Sequence, residues 1–317
     1  MNSRTVKAKT KKPANKKAGN RIDNLQRMIM FLPGLILVIV FAYLPMIGVV
    51  MAFKKYNPNL GIFGSKWVGL DNFSFFIKSS DFIRIFRNTI LYSFDFMIVT
   101  TIANVFLAIL FYNVTSRKAL KYYQTTAIFP SFMSTVLVSY IVYAFLNPTS
   151  GFVNRLIEFF GGTGVDWYAE GKAWPFILNI VKIWNGIGVG SLYYYAAMLG
   201  IDESLFEAAR IDGANKAQEV RYIIIPEITG LICIFLILGV GGLMNGDFGL
   251  HYQVTRNQGV LYPTTDIIQT YVFRATQTGS SMGRTAAIGL FSSVCGTVLV
   301  VVTNLIVRRI DPEKSLF

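Results

Sequence analysis

An all-α membrane protein is the fold class this sequence predicts, and three observations carry that expectation. Hydrophobic residues make up 53% of the 317-residue chain while charged residues make up only 15%, a balance far more apolar than a soluble domain of this length shows. The apolar residues fall in runs of about 20, the length a helix needs to cross a bilayer core of about 30 Å. No extended alternation of apolar and polar residues is present, and lipid cannot hydrogen-bond an open backbone, so each run is read as a helix rather than a barrel strand.

Residues 1–25 form a basic, polar tail expected to be disordered, and residues 26–317 form the membrane domain. Six spans are expected, at about Met28–Phe53, Thr89–Tyr112, Thr126–Leu146, Trp174–Leu199, Ile223–Leu243 and Ala286–Val307. The net charge of +13 is concentrated before the first span, where nine basic residues run from Arg4 to Arg27. That placement reads as an orientation signal and a lipid-headgroup contact rather than a nucleic-acid arm, and it puts the N-terminus in the cytoplasm. Six crossings return the C-terminus, with Arg308, Arg309 and Lys314, to the same side, together with the short loop that carries Arg117, Lys118 and Lys121. The loop Lys54–Asn88 holds Lys54, Lys55, Lys66, Lys78, Arg84 and Arg87, and parity alone places it outside. The first run is too long for a signal-peptide core and lacks a small-residue cleavage site, so a retained anchor is expected.

Between the first two spans, Trp67-Val68-Gly69-Leu70-Asp71-Asn72-Phe73 reads as a segment folded at the membrane surface, its aromatics typical of an interfacial belt. The loop Asn147–Lys172 contains Phe152-Val153-Asn154-Arg155-Leu156-Ile157, a short amphipathic helix suited equally to lipid headgroups or to an external partner. Gly186, Gly188 and Gly190 in the fourth span, and Gly239, Gly241, Gly242 and Gly246 at the end of the fifth, suit either close helix packing or breaks that line a cavity. Cys233 and Cys295 lie within spans and read as packing residues, and His251 is the sole histidine. A metal centre or a His-dependent triad therefore has almost no raw material, and an enzyme is not expected.

From Ile201 to Pro226 the chain reads as helix, glycine turn, helix. Asp202 caps the first helix, Phe206 gives it an apolar side with Ala209 and Arg210, and Gly213 ends it. Glu207 is an exposed carboxylate suited to a basic partner, and Ala208 and Ala209 leave room for a partner surface to close in.

Glu207-Ala208-Ala209, Gly213, and Ile223-Ile224-Ile225-Pro226 resemble the EAA loop of binding-protein-dependent ABC importer permeases, with Ile225 standing for the usual Leu. Ile201-Asp202 and Asp212-Gly213-Ala214 are similar to the carbohydrate-uptake branch. Pro45-Met46-Ile47-Gly48, the Trp67–Phe73 segment and Arg87-Asn88-Thr89 extend the likeness to polysaccharide-type permeases along nearly the whole chain after residue 25. The resemblance implies a type I permease bundle in the bacterial cytoplasmic membrane, importing a carbohydrate of the oligosaccharide or polysaccharide kind. Glu207, Ala208, Ala209, Asp212, Gly213 and Pro226 would form the coupling loop. It also implies a second related permease, two ATP-binding cassette ATPases that use ATP and magnesium, and an extracellular solute-binding protein. No Gly-x-x-x-x-Gly-Lys-Ser/Thr phosphate loop occurs in this chain, so no cofactor is expected in it.

An oligosaccharide path needs aromatic faces for sugar rings and polar groups for hydroxyls. Trp184, Asn185, Tyr193, Tyr194, Asn245 and Asp247 are the candidates, although Tyr193, Tyr194 and Tyr195 cannot all face one cavity and tyrosines near helix ends also serve as interfacial anchors. Asp95 and Lys182 are ionisable residues within spans, read either as functional groups or as side chains snorkelling to a boundary. The competing readings are an ion-driven secondary transporter, which would relay ions through buried carboxylates, and an ABC permease for a solute other than sugar.

Overall fold

A computed structural model describes the backbone of residues 16–278 and 282–310, and side chains within those ranges from residue 26 to residue 309. The chain clusters into two units, residues 1–50 and 51–317. The first unit contains helix α1 (Lys16–Val38), which passes into a π turn at Ile39–Tyr43. A 3-10 stretch then runs over Leu44–Phe53. Pro45 has no N–H to return to the preceding turn, a local cause for the departure from α geometry. Apolar side chains from Met28 to Met46 are exposed all round the helix, as a lipid-facing span requires. The disordered tail expected over residues 1–25 is corrected in part: the backbone is helical from Lys16, and residues 1–15 lie outside the described residues.

The second unit is built on α3 (Phe82–Tyr112), α7 (Trp174–Met198), α9 (Lys216–Gly241) and α11 (Met282–Ile310), each long and apolar enough to cross a membrane, as is the stretch Gln26–Phe53. Short α2 (Asp71–Ile77) precedes α3. The expected third span is not one helix. It is α4 (Arg117–Ile128) with a 3-10 turn to Phe132, then α5 (Thr135–Leu146), bent by 100°. Pro130 sits in the 3-10 turn, Met133 is extended, and the Ser134 hydroxyl accepts from the Leu137 amide to start a new helix, so the first ladder ends and a fresh one begins. Among the described residues there are therefore five helices long and apolar enough to cross a membrane, and a sixth if the bent pair counts as one. Arg117, Lys118 and Lys121, expected in a loop, lie in α4 behind the Ser116 cap.

Helices α3 and α7 pack side by side, and glycine decides how closely. A Cβ at Gly190 would lie 2.2 Å from the Asn104 amide, and one at Gly188 would lie 2.0 Å from the Ala127 carbonyl of α4. Close packing is thus the role of both. The cluster after α9 behaves differently: the helix stops at Gly241, Gly242 caps it, and Gly246 has φ +62°, so Gly242 and Gly246 belong to a break.

The two ends of the unit differ. At one end, Tyr112 of α3 meets Phe206, their ring centroids 5.9 Å apart. At the other, a hairpin pairs Lys54 with Trp67 and Lys55 with Lys66, and Trp67 stacks on Phe53 at 5.6 Å. That end also carries α6 (Phe152–Phe159) and α10 (Ile268–Gln277). Asn154 of α6 holds its loop by donating to the carbonyls of Pro148 and Val165 and accepting from the Val165 amide and the Trp167 indole. Asp266, just before α10, receives both oxygens' worth of hydrogen bonds from Arg274 at 2.7 Å, while Asn88 of α3 donates to its backbone carbonyl.

Candidate functional site

The segment after α7 forms helix α8 (Glu203–Ile211). The Asp202 carboxylate accepts from the Ser204 amide at 3.0 Å. That amide holds the Asp202 carboxyl below its ordinary value, so the cap is fully charged above the ordinary carboxylate range and is lost only as pH falls through the lowered value. The helix ends where Gly213 takes φ +78°, and the Ala214 amide reaches back to the Ala209 carbonyl at 2.9 Å, the bond that closes a left-handed C-cap. A capping box between Asn215 and Gln218 then opens α9.

Phe206 is 3% exposed and packs with Ala108, Met198, Ile224 and Ile228, so α8 is fastened to three spanning helices through one side chain. Its other side carries Glu207, Ala208 and Asp212, all exposed, and Ile211 at 86% exposure. Ala209 is half-buried, and Glu207 has no partner among the described residues. Sequence reasoning missed two contributors. Glu219 is buried and receives Lys216 at 2.6 Å and Arg210 at 3.4 Å, tying the two arms of the turn together. Ile211 was passed over because one apolar residue beside a glycine turn looks like an ordinary helix end. Pro226 is exposed and follows a π turn at Val220–Ile224; its missing N–H suits the widened ladder.

Among the described residues no atom lies within 4 Å of where a Cβ on Gly213 would stand, so its replacement by Ala tests backbone conformation. Gly213→Ala is expected to lower stability by about 1 kcal/mol, and Gly213→Asn by less. Amide hydrogen exchange over residues 208–216 reads this as faster exchange in the Ala variant, and equal exchange in both would remove the left-handed cap as the reason for the glycine.

A groove of about 340 Å³ opens between α3, α7 and α9, and an adjoining one of about 280 Å³ shares Ser93, Phe96, Lys182 and Gly239 with it. Lys182 Nζ lies 2.7 Å from Asp247 Oδ2 and 5.8 Å from the centre of the Phe96 ring. Asp247 Oδ1 accepts from the Leu250 amide at 2.9 Å, so this carboxylate both balances the lysine and shapes the break beyond α9. Tyr193 and Tyr194 line the groove, whereas Tyr195 turns away to Phe111, 6.3 Å between ring centres.

The remaining candidates lie elsewhere. Trp184 and Asn245 line neither groove. Asn185 donates to the Pro130 carbonyl at 2.8 Å and accepts from the Ser131 hydroxyl through its own carbonyl at 2.6 Å; it secures the bend between α4 and α5, because a proline turn leaves carbonyls that need donors. The sequence missed Ser93, Thr100, Thr101, Asn104 and Phe235, which complete the wall. Ser93, Thr100 and Asn104 recur at helical spacing along an otherwise apolar α3, the one signal that pointed to them. Ser93 Oγ and Asn104 Oδ1 are buried with no hydrogen-bond partner among the described residues, and a buried polar group left so costs roughly 1–3 kcal/mol. No cluster of three or more His, Cys, Asp and Glu suited to a metal ion occurs among the described residues.

Residues 105–312 match the family described as the binding-protein-dependent transport system inner membrane component. The chain is 32% identical to Protein LplB of Bacillus subtilis, over 90% of this chain and 89% of that one. It is 31% identical to the polygalacturonan/rhamnogalacturonan transport system permease protein YteP of the same organism, over 90% and 88%. A solved chain from a bacterial ABC transporter involved in the import of the acidic polysaccharide alginate superimposes with a TM-score of 0.84 at 30% identity, covering 94% of this chain and all of that one. The same transporter type in complex with an alginate pentasaccharide-bound periplasmic protein gives 0.83 at 30% identity.

Proposed function

Because this chain belongs to the family of binding-protein-dependent transport system inner membrane components, a multi-pass membrane protein of ABC import, we propose that it supplies half of the path through which an oligosaccharide enters the cell. In this reading a second, related permease supplies the other half. Two separate ATPases hydrolyse ATP with magnesium, and an extracellular solute-binding protein delivers the sugar; this chain itself catalyses no reaction.

One observation carries the coupling role: α8 buries Phe206 among α3, α7 and α9 while leaving Glu207, Ala208 and Ile211 bare. Force applied to the bare side is passed to the spans through a buried ring, since close-packed interiors transmit displacement. Arg117, Lys118 and Lys121 follow Tyr112, which touches Phe206, so the basic end and the coupling end coincide. The positive-inside rule makes that end cytoplasmic, with both termini on the same side. Relatives that move polygalacturonan, arabinooligosaccharides and alginate support a carbohydrate cargo. The groove offers what such a cargo needs: Phe96, Tyr193, Tyr194 and Phe235 for ring faces, and Ser93, Asn104, Lys182 and Asp247 for hydroxyls.

Proteoliposomes holding the whole importer test this reading. Uptake of labelled oligosaccharide is expected to require ATP and the receptor and to ignore imposed proton and sodium gradients; uptake driven by a gradient without ATP would sink it in favour of a secondary transporter. Within the same assay, Lys182→Gln is expected to reduce uptake at least about tenfold, because Asp247 is left without its cation at membrane depth. Uptake at the original rate would remove the ion pair from the path.

A further inference from the structure

The hairpin end of the second unit carries a cavity of about 650 Å³ that shares no residue with the two grooves above or with the coupling turn. Lys55 of the hairpin, Lys78 just past α2 and Arg284 in the first turn of α11 meet there, with Asp71, Phe75 and Ser79 in the same wall. The three elements are fixed to one another. Asn72 of α2 donates to the carbonyls of Ala52 and Lys54, and a Cβ on Gly283 would run into the Lys54 carbonyl, so glycine lets α11 start against the hairpin.

The charges in this cavity are unbalanced. Lys54 spends its ammonium on the carbonyls of Ile62 and Phe63 at 2.9 Å, but Lys55, Lys78 and Arg284 form no ion pair among the described residues. The ladder register also sets Lys55 directly across from Lys66, and like charges so placed destabilise a hairpin. Against these cations the wall offers one carboxylate, Asp71. Asp81 is already engaged by Arg84 at 2.9 Å, and residues 279–281 contain no acid. The Arg284 guanidinium lies 3.6 Å from the centre of the Phe75 ring, a stacking that orients it and leaves its N–H groups for another acceptor. Ser79 Oγ is buried with no hydrogen-bond partner among the described residues.

Depth and surroundings define the missing anion. Lys55 stands two residues beyond Phe53 and Arg284 two residues inside Met282, and Phe53 and Met282 each end a helical stretch apolar enough to cross a membrane. The cavity is therefore level with lipid headgroups. Leu70, Phe75 and Ile77 beside it are exposed, an apolar border that suits acyl chains better than water. Positive charge is ordinarily kept on the cytoplasmic side, and the coupling turn occupies the opposite end, so cations gathered here need a local use.

We propose that this cavity binds the phosphate of an anionic phospholipid in the leaflet opposite the coupling turn. The Arg284 fork and the Lys55 and Lys78 ammoniums meet the phosphate oxygens, Ser79 adds a hydroxyl, and the acyl chains run past Phe75 and Ile77. A guanidinium takes phosphate oxygens in pairs, and basic pockets beside spanning helices hold anionic headgroups. Bound there, the lipid offsets the repulsion between Lys55 and Lys66 and ties the hairpin, α2 and α11 together. The inference does not depend on the identity of the cargo.

The test exposes the whole purified importer to phosphatidylglycerol carrying a diazirine beside its headgroup, with phosphatidylcholine carrying the same group as control. Irradiation is expected to attach the anionic probe to residues 74–80 or to the start of α11. Unlabelled phosphatidylglycerol is expected to compete, and inorganic phosphate at the same concentration is not. The triple variant Lys55→Gln, Lys78→Gln, Arg284→Gln is expected to label at least about tenfold less. Asp71→Asn, which keeps the shape and removes the competing carboxylate, is expected to bind the probe about fivefold more strongly, and it decides alone if the triple variant fails to assemble. Equal labelling by phosphatidylcholine would reduce the site to ordinary boundary lipid, competition by inorganic phosphate would make the ligand a free anion, and displacement by the receptor would give the face to a protein. Each of these results, no label at these residues, or unchanged labelling in either variant would overturn the proposal.

Discussion

Glu207→Lys is expected to leave the chain inserted in the membrane and to abolish ATP-driven uptake. The reasoning separates folding from coupling. Glu207 is exposed and makes no hydrogen bond or ion pair among the described residues, whereas the groups that hold α8 in place are Phe206, the Asp202 cap and the Gly213 turn. Reversing the charge therefore costs the isolated chain little, since substitutions on a solvated face usually stay within about 0.5 kcal/mol. The docked state is different. A carboxylate closed against a basic partner surface is desolvated, and exchanging it for a like charge costs about 2–5 kcal/mol, tens-fold to thousands-fold in affinity. Co-purification of the ATPase and ATP-dependent uptake should fall together while the yield of folded permease holds. Normal co-purification with normal uptake would remove Glu207 from the docking face, and loss of folded permease would show that its role is structural.

Asp266→Ala is expected to produce the largest loss of stability at the opposite end. The Asp266 side chain is 1% exposed, and Arg274, at 18%, reaches it with both hydrogen bonds at 2.7 Å. Thr270 donates to the same carboxylate at 2.6 Å, and Arg84 stands 3.8 Å away. Removing the acid leaves two guanidinium groups facing each other's charge in a desolvated site, a change that costs about 3–5 kcal/mol. The thermal midpoint of the detergent-solubilised chain should fall by several degrees. Replacing Asp266 and Arg274 together by Leu and Met is expected to recover part of that loss, because the two remove an anion and a cation in one step. An unchanged midpoint in Asp266→Ala would mean that water replaces the carboxylate and the site is not dry.

The same residues show where sequence reasoning stops. Arg84 and Arg87 stood in an outer loop by parity alone, and their basic character argued for the other side. Arg84 in fact spends its charge on Asp81 and Asp266 at that end. Asp81 was three residues away and visible; Asp266 was not, because no local pattern marks which distant acid will fold against a given base.

Most spans and the ends of α8 were legible because each is set by neighbours within a few residues: twenty apolar side chains make a crossing, and Asp202 and Gly213 begin and end a helix. The third span shows the limit of even that logic, since hydropathy is blind to direction and an apolar run bent by 100° scores like a straight one. Groove chemistry was legible only in part: Tyr193, Tyr194, Lys182 and Asp247 stood out in the sequence, but not what each would meet. Lys182 and Asp247 are 65 residues apart, Ser93 and Asn104 acquire meaning only beside α7 and α9, and Asn185, a polar residue in a span, is consumed by a proline carbonyl on α4's flank. Local chemistry dictates which segments are helices and how they end. Which polar side chains are spent on the fold and which stay open to a cargo or a partner is decided only when helices pack, because hydrogen bonds and ion pairs at membrane depth go to whichever group the packing brings within reach.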